Sequence, residues 1–375
     1  MGWRQRSMAA KGIGHMRSRT RLPDPAFWQG KRVLLTGHTG FKGAWTALWL
    51  RRLGARVIGL ALAPAAEPNL FTAAKVSGDC LHEVCDLTDR AQVHKFVSEA
   101  RPDVIVHMAA QALVRQSYRD PVGTISTNVL GTAHLLDAAA ATGRVKAILV
   151  VTSDKVYAND ESGRAFVESD PLGGHEPYAA SKAACDIIVA SLGKSLLEPA
   201  GIRVATARGG NVIGGGDFSA DRIVPDIWRA ACSGQPLVLR SPNAVRPWQH
   251  VLDCVAGYLC FAESLAADPK TPRALNIGPL PGPHLTVGEI ATFMLGELAP
   301  GTVWKLDNQP QSKEMAYLSI DPALSRRTLL IVDRWPGRTG LTKTAAWYRS
   351  FDAGKDAREL TLAQIEAYEQ HGAAT

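Results

Sequence analysis

Short, unbroken apolar runs recur through the first 210 residues, each closed by a turn signal and followed by a stretch with helical spacing. The runs fall at 33–36, 56–62, 81–84, 104–107, 147–152 and 203–207. Helices are predicted between them over 44–53, 90–100, 126–141 and 178–197. A run such as Ile148-Leu149-Val150-Val151 has no polar alternation, as expected of a strand covered on both faces. Strands alternating with helices at this spacing predict an α/β fold built on a doubly wound parallel sheet. After Arg208 the texture changes. Residues 209–217 are too rich in glycine for regular structure. Shorter helices are predicted beyond them at 224–232, 251–266, 287–295, 341–351 and 360–369, with Pro and Gly dense between. The expected division is a basic, unpacked leader over 1–26, a first domain over 27–210, and a smaller C-terminal α/β domain over 211–375. Within the last, about 245–277 is a candidate to return to the first domain.

Composition adds little until charge is placed along the chain. Hydrophobic content of 46% and charged content of 21% are ordinary for a globular protein. No apolar run reaches the ~20 residues needed to span a bilayer. The net charge of +7 hints at nucleic acid, but residues 1–23 carry six cations (Arg4, Arg6, Lys11, Arg17, Arg19, Arg21) and no acid. Everything after them is near neutral, so neither a nucleic-acid nor a membrane partner is expected. The leader reads as unpacked chain or as an early start. A presequence or a polyanion-binding arm are the alternatives. Six cysteines (Cys80, Cys85, Cys185, Cys232, Cys254, Cys260) form no C-x-x-C pair. They read as reduced residues of a cytoplasmic protein, with no metal site expected.

The candidate chemistry begins at Gly37-His38-Thr39-Gly40-Phe41-Lys42-Gly43, directly after the first strand. A glycine turn between strand and helix lets backbone amides approach a pyrophosphate at the helix N-terminus, which makes the expected fold Rossmann-type. Gly37, Thr39, Gly40, Phe41 and Gly43 are therefore candidate dinucleotide contacts. The spacing is G-x-x-G-x-x-G rather than G-x-G-x-x-G. The usual acid at the end of the second strand is missing from Leu60-Ala61-Leu62-Ala63, and so is an arginine for a 2′-phosphate. This loop does not choose between NAD and NADP. Asp86 and Leu87 are candidates for the adenine edge, with a helix N-cap at Asp86 or Thr88 as the alternative. Ala109 and Ala110, ending the fourth strand, leave room for a cofactor or simply pack tightly.

About 140 residues after the glycine turn, Tyr178 and Lys182 stand at i, i+4, one face of a helix. A cation beside a phenol favours the phenolate, which could take a hydroxyl proton. Thr152-Ser153-Asp154-Lys155 ends the preceding strand. Taken together, residues 31–320 resemble the extended short-chain dehydrogenase/reductase family. That resemblance implies NAD, a redox role for Tyr178 and Lys182, and Ser153 as their hydroxyl partner.

Asp154 and Lys155 narrow the resemblance from the 4-epimerases, which need no such pair, to the nucleotide-sugar 4,6-dehydratases. The blocks at 36–43, 152–157, 210–217 and 246–251 look like those of CDP-glucose 4,6-dehydratases. The resemblance implies that Tyr178 takes the O4 proton as hydride passes from C4 to NAD, and that Ser153 bonds the new ketone. Asp154 would then protonate the departing C6 hydroxyl before the hydride returns to C6. A lysine amine, with a free pKa near ~10.4, is protonated at neutral pH. Either the site makes Lys155 the C5 base, or Lys155 only positions Asp154. By resemblance, Asn211, Arg222 and Arg246 surround the sugar diphosphate of CDP-glucose; Gln111, Asn128 and Tyr317 are further substrate candidates, and Trp248 is structural. A homodimer, and a product destined for deoxysugars of a surface polysaccharide such as lipopolysaccharide, are implied in the same way. Another nucleotide-sugar dehydratase or a 4-epimerase is the alternative.

Overall fold

The computed structural model describes residues 20–159, 161–282, 285–307 and 317–371. Seven strands form one sheet: β1 Arg32–Thr36, β2 Arg56–Ala61, β3 Cys80–Val84, β4 Val104–His107, β5 Ala147–Val151, β6 Arg203–Gly209 and β7 Ala274–Ile277. All pair in parallel, in the order β7-β6-β5-β4-β1-β2-β3. The order reverses at β1, where Val33 faces Val57 on one side and Val104 on the other. Such a reversal opens a crevice beyond the carboxyl ends of β1 and β4.

Among the described residues, the nine longer helices are α1 Phe41–Arg52, α2 Arg90–Ala100, α3 Gly131–Ala140, α4 Pro177–Leu192, α5 Ile223–Ser233, α6 Val251–Ala267, α7 Val287–Leu298, α8 Arg338–Asp352 and α9 Ala357–Gln370. Strand residues divide between two cores with the period of 2 that a pleat imposes. Leu34, Ile105, Ile148 and Val150 meet α2, α3 and α4 on one face. Val33, Leu35, Val104, Val106 and Leu149 meet α1, α6 and the C-terminal helices on the other. This two-sided burial is why the strands read as continuous apolar runs. The α6 helix is apolar nearly all round because it lies between α1, β5, β6 and the C-terminal helices.

Three sequence expectations are corrected and one is sharpened. The return of about 245–277 to the first domain is made by α6 and β7, although Ala274-Leu275-Asn276-Ile277 is short and its Asn276 polar, which leaves no local strand signal. The Asn276 side chain is consumed internally, accepting from the Tyr157 hydroxyl and donating to the Phe166 and Asp321 carbonyls. The stretch 126–141 is not one uniform helix: Ser126–Leu130 is a π turn before α3. Likewise α4 ends in a π turn, Gly193–Leu197. Finally, the chain packs from Arg21 onward rather than from 27. The Arg21 guanidinium bonds Glu263 and Ser264, and Trp28 Nε1 donates to the same carboxylate at 2.6 Å. The leader's other residues, 1–19, lie outside the described residues.

Candidate active site

The crevice is floored by the turn between β1 and α1. Gly37 has φ +73°, and a Cβ on Gly43 would stand 2.1 Å from the Gly37 carbonyl oxygen, so the turn closes only with glycine there. Gly40 is exposed and opens α1 as its N-cap with no side-chain capping bond. The first amides of a twelve-residue helix are thus left for an anion, which fits a dinucleotide pyrophosphate. Thr39 Oγ1 donates to the Leu62 carbonyl, tying the turn to the end of β2. Phe41 leans on the 209–217 loop, its ring tip 3.0 Å from where a Gly214 Cβ would be. Thr36 Oγ1 accepts from both Met108 and Ala109 amides at 3.1 Å, drawing the end of β4 against the turn. Ala109 and Ala110 are half-buried beside it. His107 bridges Thr36 and Thr132, its pKa pushed down to about 3 by burial, so it is a neutral brace.

At the candidate adenine edge after β3, the N-cap of α2 is Asp89, not Asp86 or Thr88. Exposed Asp86 accepts from the Thr88 amide, and buried Leu87 packs on Gly131.

The carboxyl end of β5 and the start of α4 bring the five proposed catalytic groups together. Ser153 Oγ donates to Asp154 Oδ1 at 3.0 Å and accepts from the Lys155 amide at 3.2 Å. Asp154 is 3% exposed, and its Oδ2 has no partner among the described residues. Burial raises the Asp154 carboxyl, against the opposing pull of Lys155, the Ser153 bond and Arg246. Half-buried Tyr178 is also raised by burial; a Ser153 hydrogen bond and the Arg222 charge oppose this, and the Asp154 and Glu176 charges add to it. The Arg222 charge thus favours the phenolate, a contribution that the sequence assigned to Lys182 alone. Lys182 Nζ instead donates to the Val151 carbonyl at 3.2 Å. Its hold on a proton is lowered by burial and by Lys42. Lys155 Nζ is paired with Glu176 Oε1 at 2.7 Å.

The substrate candidates separate into two groups. Half-buried Arg222, at the N-cap of α5, has no side-chain partner among the described residues and faces Tyr178 and Lys42. Arg246 is 8% exposed, and its charge opposes the burial that raises Asp154. Half-buried Asn211 shares this end of the crevice, its carbonyl accepting from Gln249. Tyr317 pairs through its backbone with Val245, next to Arg246. Gln111 and Asn128 are turned to other work. Asn128 exchanges bonds with the Gln111 backbone and donates to Ser181, while the Gln111 amide bonds Leu113 and Thr124. Both are braces with their polar atoms already used. Trp248 Nε1 donates to the Leu285 carbonyl, a structural bond.

Two residues escaped the sequence reading. Lys42, inside the glycine turn, sends its amine 5.7 Å from the Tyr258 ring centroid, and burial lowers its hold on a proton. An amine at the positive end of a helix was the available signal. Glu176 carried no signal beyond its place before Pro177. No group of three His, Cys, Asp or Glu side chains suited to a metal occurs among the described residues.

A doubly wound parallel sheet, a glycine turn open to an anion, and Ser153, Tyr178 and Lys182 at the carboxyl end of β5 and the start of α4 define an extended short-chain dehydrogenase/reductase. Solved structures agree on the fold: an epimerase from Methanothermobacter thermautotrophicus superposes with a TM-score of 0.75 at 23% identity, covering 87% of this chain and 94% of that one. A double mutant of dTDP-glucose 4,6-dehydratase from Streptomyces venezuelae, solved with NAD bound, gives 0.71 at 26% identity, covering 84% and 96%. Residues 33–278 match the NAD dependent epimerase/dehydratase family, and the chain belongs to it. Among curated relatives, the CDP-glucose 4,6-dehydratase of Salmonella typhimurium is 38% identical, covering 92% of this chain and 98% of that protein. A dTDP-glucose 4,6-dehydratase of Xanthomonas campestris is 29% identical, covering 84% and 92%.

Proposed function

We propose that the protein is an NAD-dependent nucleotide-sugar 4,6-dehydratase and that its substrate is CDP-glucose, which it converts to CDP-4-keto-6-deoxyglucose and water. The observation that carries the reading is Asp154: a buried carboxyl, raised by burial, with one oxygen on Ser153 and the other open. A carboxylic acid kept protonated can hand its proton to a departing hydroxyl. A 4-epimerase has no hydroxyl to expel and no use for such a group. The nearly end-to-end likeness to the Salmonella enzyme supports cytidine as the base.

NAD, held over the Gly37–Gly43 turn and beside Ala109 and Ala110, would accept hydride from C4 and give it back at C6. The chain's own groups manage protons and orientation. Tyr178 takes the O4 proton; the Arg222 charge and the Ser153 hydroxyl favour the phenolate against burial. Ser153 then steadies the C4 ketone, which acidifies the C5 proton. Lys182, anchored on Val151, positions the cofactor ribose. Arg222 binds the diphosphate and Asn211 the neighbouring sugar. The C-terminal segments after 211, apart from α6 and β7, form the substrate side. The product would feed deoxysugar synthesis in the cytoplasm, for surface polysaccharide.

A homodimer fits the exposed Tyr118, Val122, Ile125 and Leu130 together with Ile187 on α4, which the segment Pro121–Ile125 packs against. Sedimentation as a monomer at micromolar concentration would overturn it. The functional test is turnover of CDP-, dTDP- and UDP-glucose, scored for water loss and for C4 inversion. Water loss fastest on CDP-glucose is expected. Inversion without water loss would overturn the dehydratase, and preference for another nucleotide would overturn the cytidine assignment.

A further inference from the structure

Glu176 begins α4, two residues before Tyr178. Its backbone is extended, at φ −100° and ψ 149°, the geometry of an N-cap. A negative charge is favoured at that end of a helix, yet the Glu176 carboxylate makes no bond to the helix's own amides. Ser117 does the capping from elsewhere, its Oγ accepting from the Tyr178 amide at 3.1 Å. The Glu176 carboxylate reaches instead across to the segment after β5, where Oε1 accepts from Lys155 Nζ at 2.7 Å. The two side chains are only 20% and 15% exposed, so water and salt screen the pair weakly. Lys155 is consequently held at both ends, its amide by Ser153 and its ammonium by Glu176. The pair is a strut between the two segments that carry the five proposed catalytic groups.

We propose that Glu176 is a positioning residue for the elimination step, fixing Lys155 as a charged neighbour of Asp154 and so leaving Asp154 to act as both acid and base. The proposal rests on the dehydratase reading. An ammonium in an ion pair has no lone pair with which to take the C5 proton. Its charge does stabilise a carboxylate beside it, and Lys155 is the largest counter-charge acting on Asp154. In the step, the Asp154 proton goes to the C6 hydroxyl, which leaves as water. The C5–H electron pair becomes the C5–C6 double bond, and the C5 proton goes to the carboxylate just formed. Protons and charge balance with one residue, and Oδ2, buried without a hydrogen-bond partner among the described residues, is the oxygen not already engaged by Ser153.

The test uses the full chain with NAD and CDP-glucose, and follows two signals: reduced nicotinamide in a single turnover for C4 oxidation, and dehydrated keto sugar for elimination. In Glu176→Gln, oxidation is expected to stay within a few-fold of wild type while elimination slows by about 10²-fold, the scale of a misplaced acid–base group. Lys155→Met should slow elimination similarly, and the double variant should be no slower than Lys155→Met, since the two act as one unit. Glu176→Asp should recover part of the loss. Three results would each overturn the proposal: elimination at the wild-type rate in Glu176→Gln, multiplying losses in the double variant, or equal loss of both signals in Glu176→Gln and Glu176→Asp. Absence of dehydration by the wild type on any nucleotide sugar would instead remove the dehydratase reading, and the proposal with it.

Discussion

Asp154 is the residue on which the proposed chemistry turns, because burial and an oxygen with no hydrogen-bond partner among the described residues suit it to act as an acid. Asp154→Asn keeps the shape and removes the acidic proton. Its dehydration rate is expected to fall ~10²–10⁴-fold, the usual contribution of a positioned acid–base group. C4 oxidation should persist, and reduced nicotinamide should accumulate. Equal loss of both steps would remove Asp154 from its proposed role. Tyr178→Phe should stop oxidation itself, with no reduced nicotinamide in a single turnover. At this scale the sequence was informative where residues are neighbours in the chain: Ser153, Asp154 and Lys155, and Tyr178 with Lys182. It was silent on what faces them from afar. Arg222 on the phenol, Arg246 on Asp154 and Glu176 on Lys155 are meetings made by the fold. Gln111 and Asn128 show the converse: amides suited to a ligand in type, but occupied, Asn128 by the Gln111 backbone and Ser181, Gln111 by the Leu113 backbone and Thr124.

Among elements, the turn between β1 and α1 bears the tightest constraint. An Ala at Gly43 would place its Cβ 2.1 Å from the Gly37 oxygen and 2.7 Å from the His38 Cα, both backbone atoms with little freedom to yield. Gly43→Ala is expected to cost about 1–3 kcal/mol, as overpacking does, and to weaken NAD binding in a fluorescence titration. Undiminished affinity would mean the turn does not cradle the cofactor. The loop at 209–217 was expected to lack regular structure because of its glycines. Those glycines answer to packing: a Cβ on Gly215 would fall 2.0 Å from the Trp347 ring, and Trp45 donates to its carbonyl. Strand–helix alternation was legible because each strand is a local apolar run. The strand β7 and the pairings Leu237–Leu239 with Trp304–Leu306 and Val212–Ile213 with Gln249–His250 were not. Those segments are too short to carry a period, and their partners are distant in sequence.

Across the whole molecule, α6 joins the sheet to the C-terminal helices through a buried acid. Asp253 accepts from the Arg334 amide and the Tyr368 hydroxyl, and its carboxyl is pushed up to about 7 by burial and by Asp333. An unfolded aspartate titrates near ~3.9, so the folded state holds the proton more tightly. The stability contributed by the protonated form is present below about pH 4 and is lost as pH rises toward about 7. Melting temperatures measured over that window should decline less steeply in Asp253→Asn than in wild type; identical slopes would show that Asp253 is not the titrating group. The basic leader is the whole-molecule feature that composition described least well. Its charge was read as belonging to a tail, but Arg21 is a structural cation for the 2% exposed Glu263 side chain, a partnership 242 residues apart in sequence.

The most direct test of the account is incubation of the protein with NAD and CDP-glucose carrying deuterium at C4, followed by product mass and label position. The account requires loss of one water and deuterium at C6 of a 4-keto sugar. A dehydrated product without deuterium at C6, or deuterium retained at C4 of an undehydrated sugar, would contradict it.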